Sequence, residues 1–236
     1  MSKIVRTFVL FCCYLAGCWL NAQTTSVNSN EEPEIDIEFT VLAWQSSDTE
    51  YTFESNGVAT SFKLPLQYRS KDMHYMGSNP LVFYREELGA DGVGIRVTLA
   101  TVTLNPAISR QLLLFIPADA GSPYEHRILA MDDRLENFPK RSYRFFNLTN
   151  EKVGVALNDH RAVLEKHEDT IIKLENDEAI IQLGVYANRN DKYRDVLNSR
   201  WPHRSMERYL IFVIDSPYTV GSLTTKAIPE YFKDSN

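Results

Sequence analysis

The chain has 236 residues, 24% of them charged and 11% aromatic, with 25 basic against 31 acidic side chains and a formal net charge of −6. That balance excludes nucleic acid and anionic membrane surfaces as whole-protein partners, because both ask for a concentrated positive face. The three cysteines, Cys12, Cys13 and Cys18, all lie near the amino terminus. The remainder has no disulfide to staple it and no thiolate to act as nucleophile or soft metal ligand.

Lys3 and Arg6 precede an apolar run from Phe8 to Leu20 that ends in small residues. This is the layout of a secretory leader, assigned to residues 1–22. Two processing signals overlap within it. Leu15-Ala16-Gly17-Cys18 reads as a bacterial lipobox, which makes Cys18 a lipidated first residue and holds the protein at a membrane through several acyl chains. Leu20 and Ala22 stand before the alternative, an ordinary cleavage that opens the mature chain at Gln23-Thr24-Thr25; Trp19 and Leu20, which prolong the apolar run, speak for it. The expectation is export to the periplasm or beyond, soluble or lipid-anchored at the outer membrane. No second apolar run approaches the roughly 20 residues that span a bilayer. Cleavage leaves a chain of about 210 residues, long enough to bury roughly 70% of the surface its unfolded form exposes.

Residues 23–34 are polar and read as a flexible linker. The dominant period beyond it is two. Ile35, Ile37, Phe39 and Val41 alternate with Asp36, Glu38 and Thr40, and Phe62, Leu64, Leu66 and Tyr68 alternate with Lys63, Pro65, Gln67 and Arg69. Both read as half-buried strands, the second at a sheet edge or bulge because Pro65 has no donor for a ladder. Further strands are expected at 81–84, 94–104, 111–116 and 124–130. Ser55-Asn56-Gly57, Asp91-Gly92 and Ala120-Gly121-Ser122-Pro123 supply the reversals between strands. A second series is expected at 143–148, 153–157, 179–186, 209–214 and 221–228. Residues 159–178 fit either a helix with Leu164, Ile171 and Leu174 on one face or two short strands, and the Asn158-Asp159 turn favours strands.

Arg110-Gln111-Leu112-Leu113-Leu114-Phe115-Ile116 echoes Arg208-Tyr209-Leu210-Ile211-Phe212-Val213-Ile214 at an offset matching one sandwich domain. With the break at Pro139-Lys140-Arg141, the expected fold class is all-β: two tandem β-sandwich, immunoglobulin-like domains at 35–140 and 141–236.

Motifs that carry chemistry are missing. There is no Gly-x-Ser-x-Gly elbow, no Ser-x-x-Lys pair, no His-Glu-x-x-His and no phosphate loop, and Gly92-Val93-Gly94 is a turn without the helix a dinucleotide site needs. His74, His126, His160, His167 and His203 are scattered. Glu34, Asp36 and Glu38 share one strand face and read as its wet side. Asn147-Leu148-Thr149 matches a glycosylation sequon but falls at the end of an expected strand. No metal and no cofactor are expected. The 31 acids leave a carboxylate pair for glycan hydrolysis open, since separation and divergent pKa values define such a pair.

One segment breaks the acidic trend. Between Arg189 and Arg208 stand Lys192, Arg194, Arg200 and Arg204 with Tyr193, Trp201 and His203. Arginine beside aromatics brings broad flat contact surface at low entropy cost, and Arg194, Arg200, Trp201, His203 and Arg204 are the candidate binding residues. The alternative is a hairpin whose Trp201 plugs the core while its arginines pair with local acids.

The run Arg141-Ser142-Tyr143-Arg144-Phe145-Phe146-Asn147-Leu148-Thr149, followed by Val153-Gly154-Val155-Ala156-Leu157, resembles a stretch in uncharacterised exported bacterial proteins with all-β patterning. The resemblance implies compartment and fold and brings no activity. The functional expectation is an exported, non-catalytic cell-envelope protein that binds a protein or polysaccharide partner. A glycan hydrolase and a structural assembly component are the alternatives.

Overall fold

The structure, a computed structural model, describes residues 34–45, 47–175, 179–189, 192–216 and 218–233. The leader, with Cys18, lies outside the described residues. The strands are β1 (Ile35–Ala43), β2 (Glu50–Ser55), β3 (Val58–Lys63), β4 (Met73–Gly77), β5 (Leu81–Leu88), β6 (Gly94–Val102), β7 (Arg110–Pro117) and β8 (His126–Asp132). They continue with β9 (Ser142–Asn147), β10 (Val153–Leu157), β11 (His160–Leu164), β12 (Asp169–Lys173), β13 (Ile180–Arg189), β14 (Lys192–Pro202), β15 (Glu207–Asp215) and β16 (Leu223–Tyr231). No helix occurs among the described residues.

The all-β reading and its two tandem sandwiches are what the structure shows. The first half pairs an outer sheet, β3-β2-β5-β6, with an inner sheet, β4-β1-β7-β8; the second pairs β11-β10-β13-β14 with β12-β9-β15-β16. Every strand therefore has an equivalent eight places later. The one parallel pairing in each half recurs too, β1 on β7 and β9 on β15, and so does a bulge, between Phe83 and Tyr84 in β5 and between Val185 and Tyr186 in β13. The Arg110 and Arg208 runs occupy the equivalent strands β7 and β15, so the internal echo is a structural repeat.

Each sandwich has its own core, one around Phe39, Phe53, Phe83 and Phe115 and the other around Tyr143, Phe145, Val185 and Ile211. A third cluster joins them. Leu42, Leu112, Leu114 and Met131 from the first inner sheet pack with Phe146, Leu210, Phe212 and Ile228 from the second. The inner strands are thus buried on both faces, which is why 112–116 and 210–214 read as unbroken apolar runs and not as alternations.

The same seam holds a buried ionic cluster. Arg110 and Asp133 lie side by side at the start of β7 and the end of β8, joined by the Asp133 N–H donating to the Arg110 carbonyl at 3.1 Å; Arg208 opposite Glu230 is the corresponding pair in the second half. The two pairs cross-connect. Arg208 reaches Asp133 at 3.0 Å and Glu230 at 2.5 Å, and Arg69 reaches the same two acids at 2.6 and 3.1 Å. Arg208 and Asp133 are each only 1% exposed. Arg208 also donates to the Phe138 carbonyl and lies 4.4 Å from the Phe138 ring centre. Charges so deep are tolerable only when all their partners are present.

Residues 159–178 form strands among the described residues, β11 and β12, with Asn158 at φ 50° in the two-residue turn between Leu157 and His160. The strand expected at 62–68 ends at Lys63, because Pro65 cannot donate; its carbonyl instead accepts from Ala43 N–H at 2.8 Å. Strands β2, β4 and β14 were not anticipated. The first two carry too few apolar residues for a clear period, and β14 is exposed along most of its length.

Candidate functional site

The inward positions of the second outer sheet are the apolar ones, Val153, Val155 and Leu157 on β10 and Ile181, Leu183 and Val185 on β13. The residues between them face outward. Register sets Val163, Gly154, Tyr186 and Asp195 in one row across four strands, with Arg161, Ala156, Gly184 and Asn198 in the next. Asn188 faces Tyr193, and Gln182 faces Arg200.

The floor of this face is built from the smallest side chains, Gly154, Ala156 and Gly184, and two tyrosine rings lie across it. A Cβ at Gly184 would sit 2.5 Å from the Tyr186 hydroxyl and 2.8 Å from its ring, and one at Gly154 would sit 3.0 Å from the ring of Tyr193. The glycines are what let the rings lie close to the sheet, as expected where an aromatic covers backbone. Tyr193 is 48% exposed and Val163 52%. Gly154, Arg161, Val163, Tyr186 and Tyr193 line a shallow cavity of about 420 Å³. Neither tyrosine hydroxyl has a hydrogen-bond partner among the described residues. Arg161 donates to the carbonyl of Asn158 at 2.9 Å, and neither it nor Arg200 forms an ion pair among the described residues.

At the equivalent place on the first outer sheet the tyrosine is covered, beside a cavity of about 520 Å³ that Glu54, Tyr84 and Arg96 help to line. There Thr52 stands for Gly154, Glu54 for Ala156, Tyr84 for Tyr186 and Arg96 for Tyr193. The Arg96 guanidinium lies 4.5 Å from the Tyr84 ring centre. It is held there by Glu54 at 2.9 Å and Glu86 at 3.9 Å. Tyr84 is consequently 4% exposed. Arg85 on the same sheet is bound by Glu87 and Glu125.

The five residues singled out from the basic segment go to different places. Arg194 and Arg200 are exposed on β14, the edge strand of the second outer sheet, but on opposite faces: Arg194 lies across from inward Ala187, Arg200 across from outward Gln182. A row of charges on an edge discourages pairing with another chain. Trp201 points inward, packs on the second core and contacts the Tyr209 ring at 5.7 Å. His203 bonds the Tyr143 hydroxyl at 2.8 Å, and Tyr143 stacks on Tyr209 at 5.2 Å. Arg204 pairs with Glu207 at 2.9 Å. Of the five, Arg200 alone shares the face that carries Tyr186 and Tyr193.

Burial shapes the titration of the inner aromatics. It raises Tyr143 and Tyr209 well above the ordinary phenol range, with the nearby Glu207 carboxylate adding to it. It pushes Tyr51 up to about 12 and lowers His126, its 2.8 Å partner. Among the other candidates, Asp36 contacts His74 at 2.6 Å and Glu38 contacts Arg110 at 3.4 Å. Glu34 and Glu54 line one cavity at the end of the first outer sheet, where Glu54 is engaged by Arg96. Asn147 is fully buried, its amide donating to the carbonyls of Glu151, Leu164 and Glu165. No group of three or more potential metal ligands occurs among the described residues.

Sequence reasoning missed this face; the signal that could have pointed to it is the pair of glycines inside strands 153–157 and 179–186, which mark close approach to backbone. Which rings approach them depends on cross-strand register.

No family model matches the chain, and a search of curated proteins finds no match. Among solved structures, a tandem pair of domains from extended synaptotagmin 2 aligns over 97% of this chain and 100% of that one, at 11% identity and a TM-score of 0.22.

Proposed function

We propose that this chain is an exported, non-catalytic envelope protein that binds a partner, protein or polysaccharide, through the outer face of its second half. One observation carries the reading. At equivalent positions the first half covers its tyrosine with an ion-paired arginine, whereas the second has no arginine there and leaves Tyr193 exposed beside half-buried Tyr186 on a floor of glycine and alanine. Exposed tyrosine flanked by unpaired arginine is the composition enriched in contact surfaces. The leader read at 1–22 supports export.

The test is site-specific photocrosslinking of the full chain in its native envelope, with the reactive side chain at position 193 or at position 96. Adducts from 193 and none from 96 are expected. Equal adducts from both positions, or adducts from 96 alone, would sink the reading.

A further inference from the structure

We propose that the open face takes an acidic polysaccharide, a uronic-acid polymer whose pyranose rings lie on Tyr186 and Tyr193 with a carboxylate on Arg161. This rests on the binding reading above and names its ligand.

Shape is the first argument. The floor of Gly154, Ala156 and Gly184 is shallow and continuous across the central strands β10 and β13, and the two rings lie close along it. Protein partners draw most of their affinity from side chains driven into desolvated pockets, and this trough offers no such depth. A sugar polymer presents flat rings with apolar faces and hydroxyl edges. The rings of Tyr186 and Tyr193 receive the faces, and Asn188 stands beside them in register for the edges, with Gln182 donating to Asn198 in the adjoining rows.

Charge is the second argument. Arg85 and Arg96 on the first outer sheet are both ion-paired. On the second, Arg161 lines the cavity beside the two tyrosines with only backbone carbonyls as partners, and Arg200 stands on the same face without an acid. Arg161 and Arg200 outnumber Asp195, and the Lys152–Glu165 pair on the same face is neutral, so this face is locally positive within a chain of net charge −6. Arg161 spends Nη1 on those carbonyls, and its Nε and Nη2 edge matches a carboxylate in two parallel hydrogen bonds. Neutral glycans leave that fork unused.

The experiment is calorimetric titration of the full chain with oligogalacturonate and with its methyl ester, which keeps the rings and removes the charge. Oligogalacturonate is expected to bind at least about tenfold tighter than the ester, with affinity falling as salt rises. Tyr193→Ala is expected to weaken both ligands about tenfold, while Arg161→Gln removes the difference between them. Both residues are exposed, so the thermal midpoints are expected to stay at the wild-type value. Equal affinity for acid and ester overturns the acidic class, and equal competition by oligoglutamate overturns the sugar. No binding of either oligosaccharide overturns the inference altogether, and adducts at position 193 would then still support the binding reading.

Discussion

At one place on the two outer sheets, Thr52, Tyr84 and Arg96 stand in the first half where Gly154, Tyr186 and Tyr193 stand in the second. In the first, a guanidinium pinned by Glu54 closes over the tyrosine; in the second, Glu54 has become Ala156 and the arginine a second tyrosine. At the inner sheets the halves agree instead, down to the arginine that opens the shared run and the acid beside it. A duplicated sandwich keeps the features that bury its seam and is free to vary where a face meets water. Three of these positions, Thr52 against Gly154, Glu54 against Ala156 and Arg96 against Tyr193, separate a self-neutralised surface from an open one.

The largest expected effect tests the agreement. Asp133→Ala strips the buried cluster of the acid shared by Arg69, Arg110 and Arg208, leaving Arg208, at 1% exposure, to share the single carboxylate of Glu230 with Arg69. Denaturant unfolding is expected to show a loss of about 3–5 kcal/mol. Glu230→Ala, at the more exposed equivalent position, is expected to cost about 2 kcal/mol.

Grafting the first face onto the second tests the difference. Ala156→Glu with Tyr193→Arg should rebuild the Arg96 and Glu54 arrangement over Tyr186. It is expected to weaken partner binding about tenfold at unchanged thermal midpoint. Gly184→Ala is subtler, since its new methyl displaces the far end of Tyr186 without deleting the ring. About a threefold loss of binding is expected, read by titration.

Smaller effects come from titration. Hydrogen bonds from Arg134 lower Asp132 to about 2 from 3.8, so its contribution is full above pH 4 and lost as pH falls through 2. After solvent screening it amounts to about 1 kcal/mol. Asp132→Asn is expected to flatten that part of the acid unfolding curve; the equivalent position in the second half is Pro229, within β16, and carries no acid. Removing the hydroxyl of Tyr51 or of Tyr143, each bonded to a histidine, is expected to cost about 1 kcal/mol by denaturant unfolding. Both phenols are raised, so their support is full below pH 10 and lost as pH rises beyond it, through about 12 for Tyr51.

Much of the fold was legible because half-buried strands alternate: Asp36 and Glu38 are exposed between buried Ile35, Ile37 and Phe39. The repeat showed in β7 and β15 because seam burial forces apolar residues on both faces of those strands. Strand β14 did not show. As an edge strand it buries little, and its bulge at Val196 breaks the period, so only its charge and aromatics stood out. The open face was hidden for a different reason. Gly154 and Tyr193 are far apart in the chain, and only the pairing of β10, β13 and β14 brings them together.

The most direct measurement is hydroxyl-radical footprinting of the full chain with and without saturating oligogalacturonate, reading the modification of Tyr84, Tyr186 and Tyr193. Protection of Tyr186 and Tyr193 with Tyr84 unchanged is the expected result. Unchanged modification at Tyr186 and Tyr193, or equal protection of Tyr84, would contradict the assignment of the open face as the binding surface.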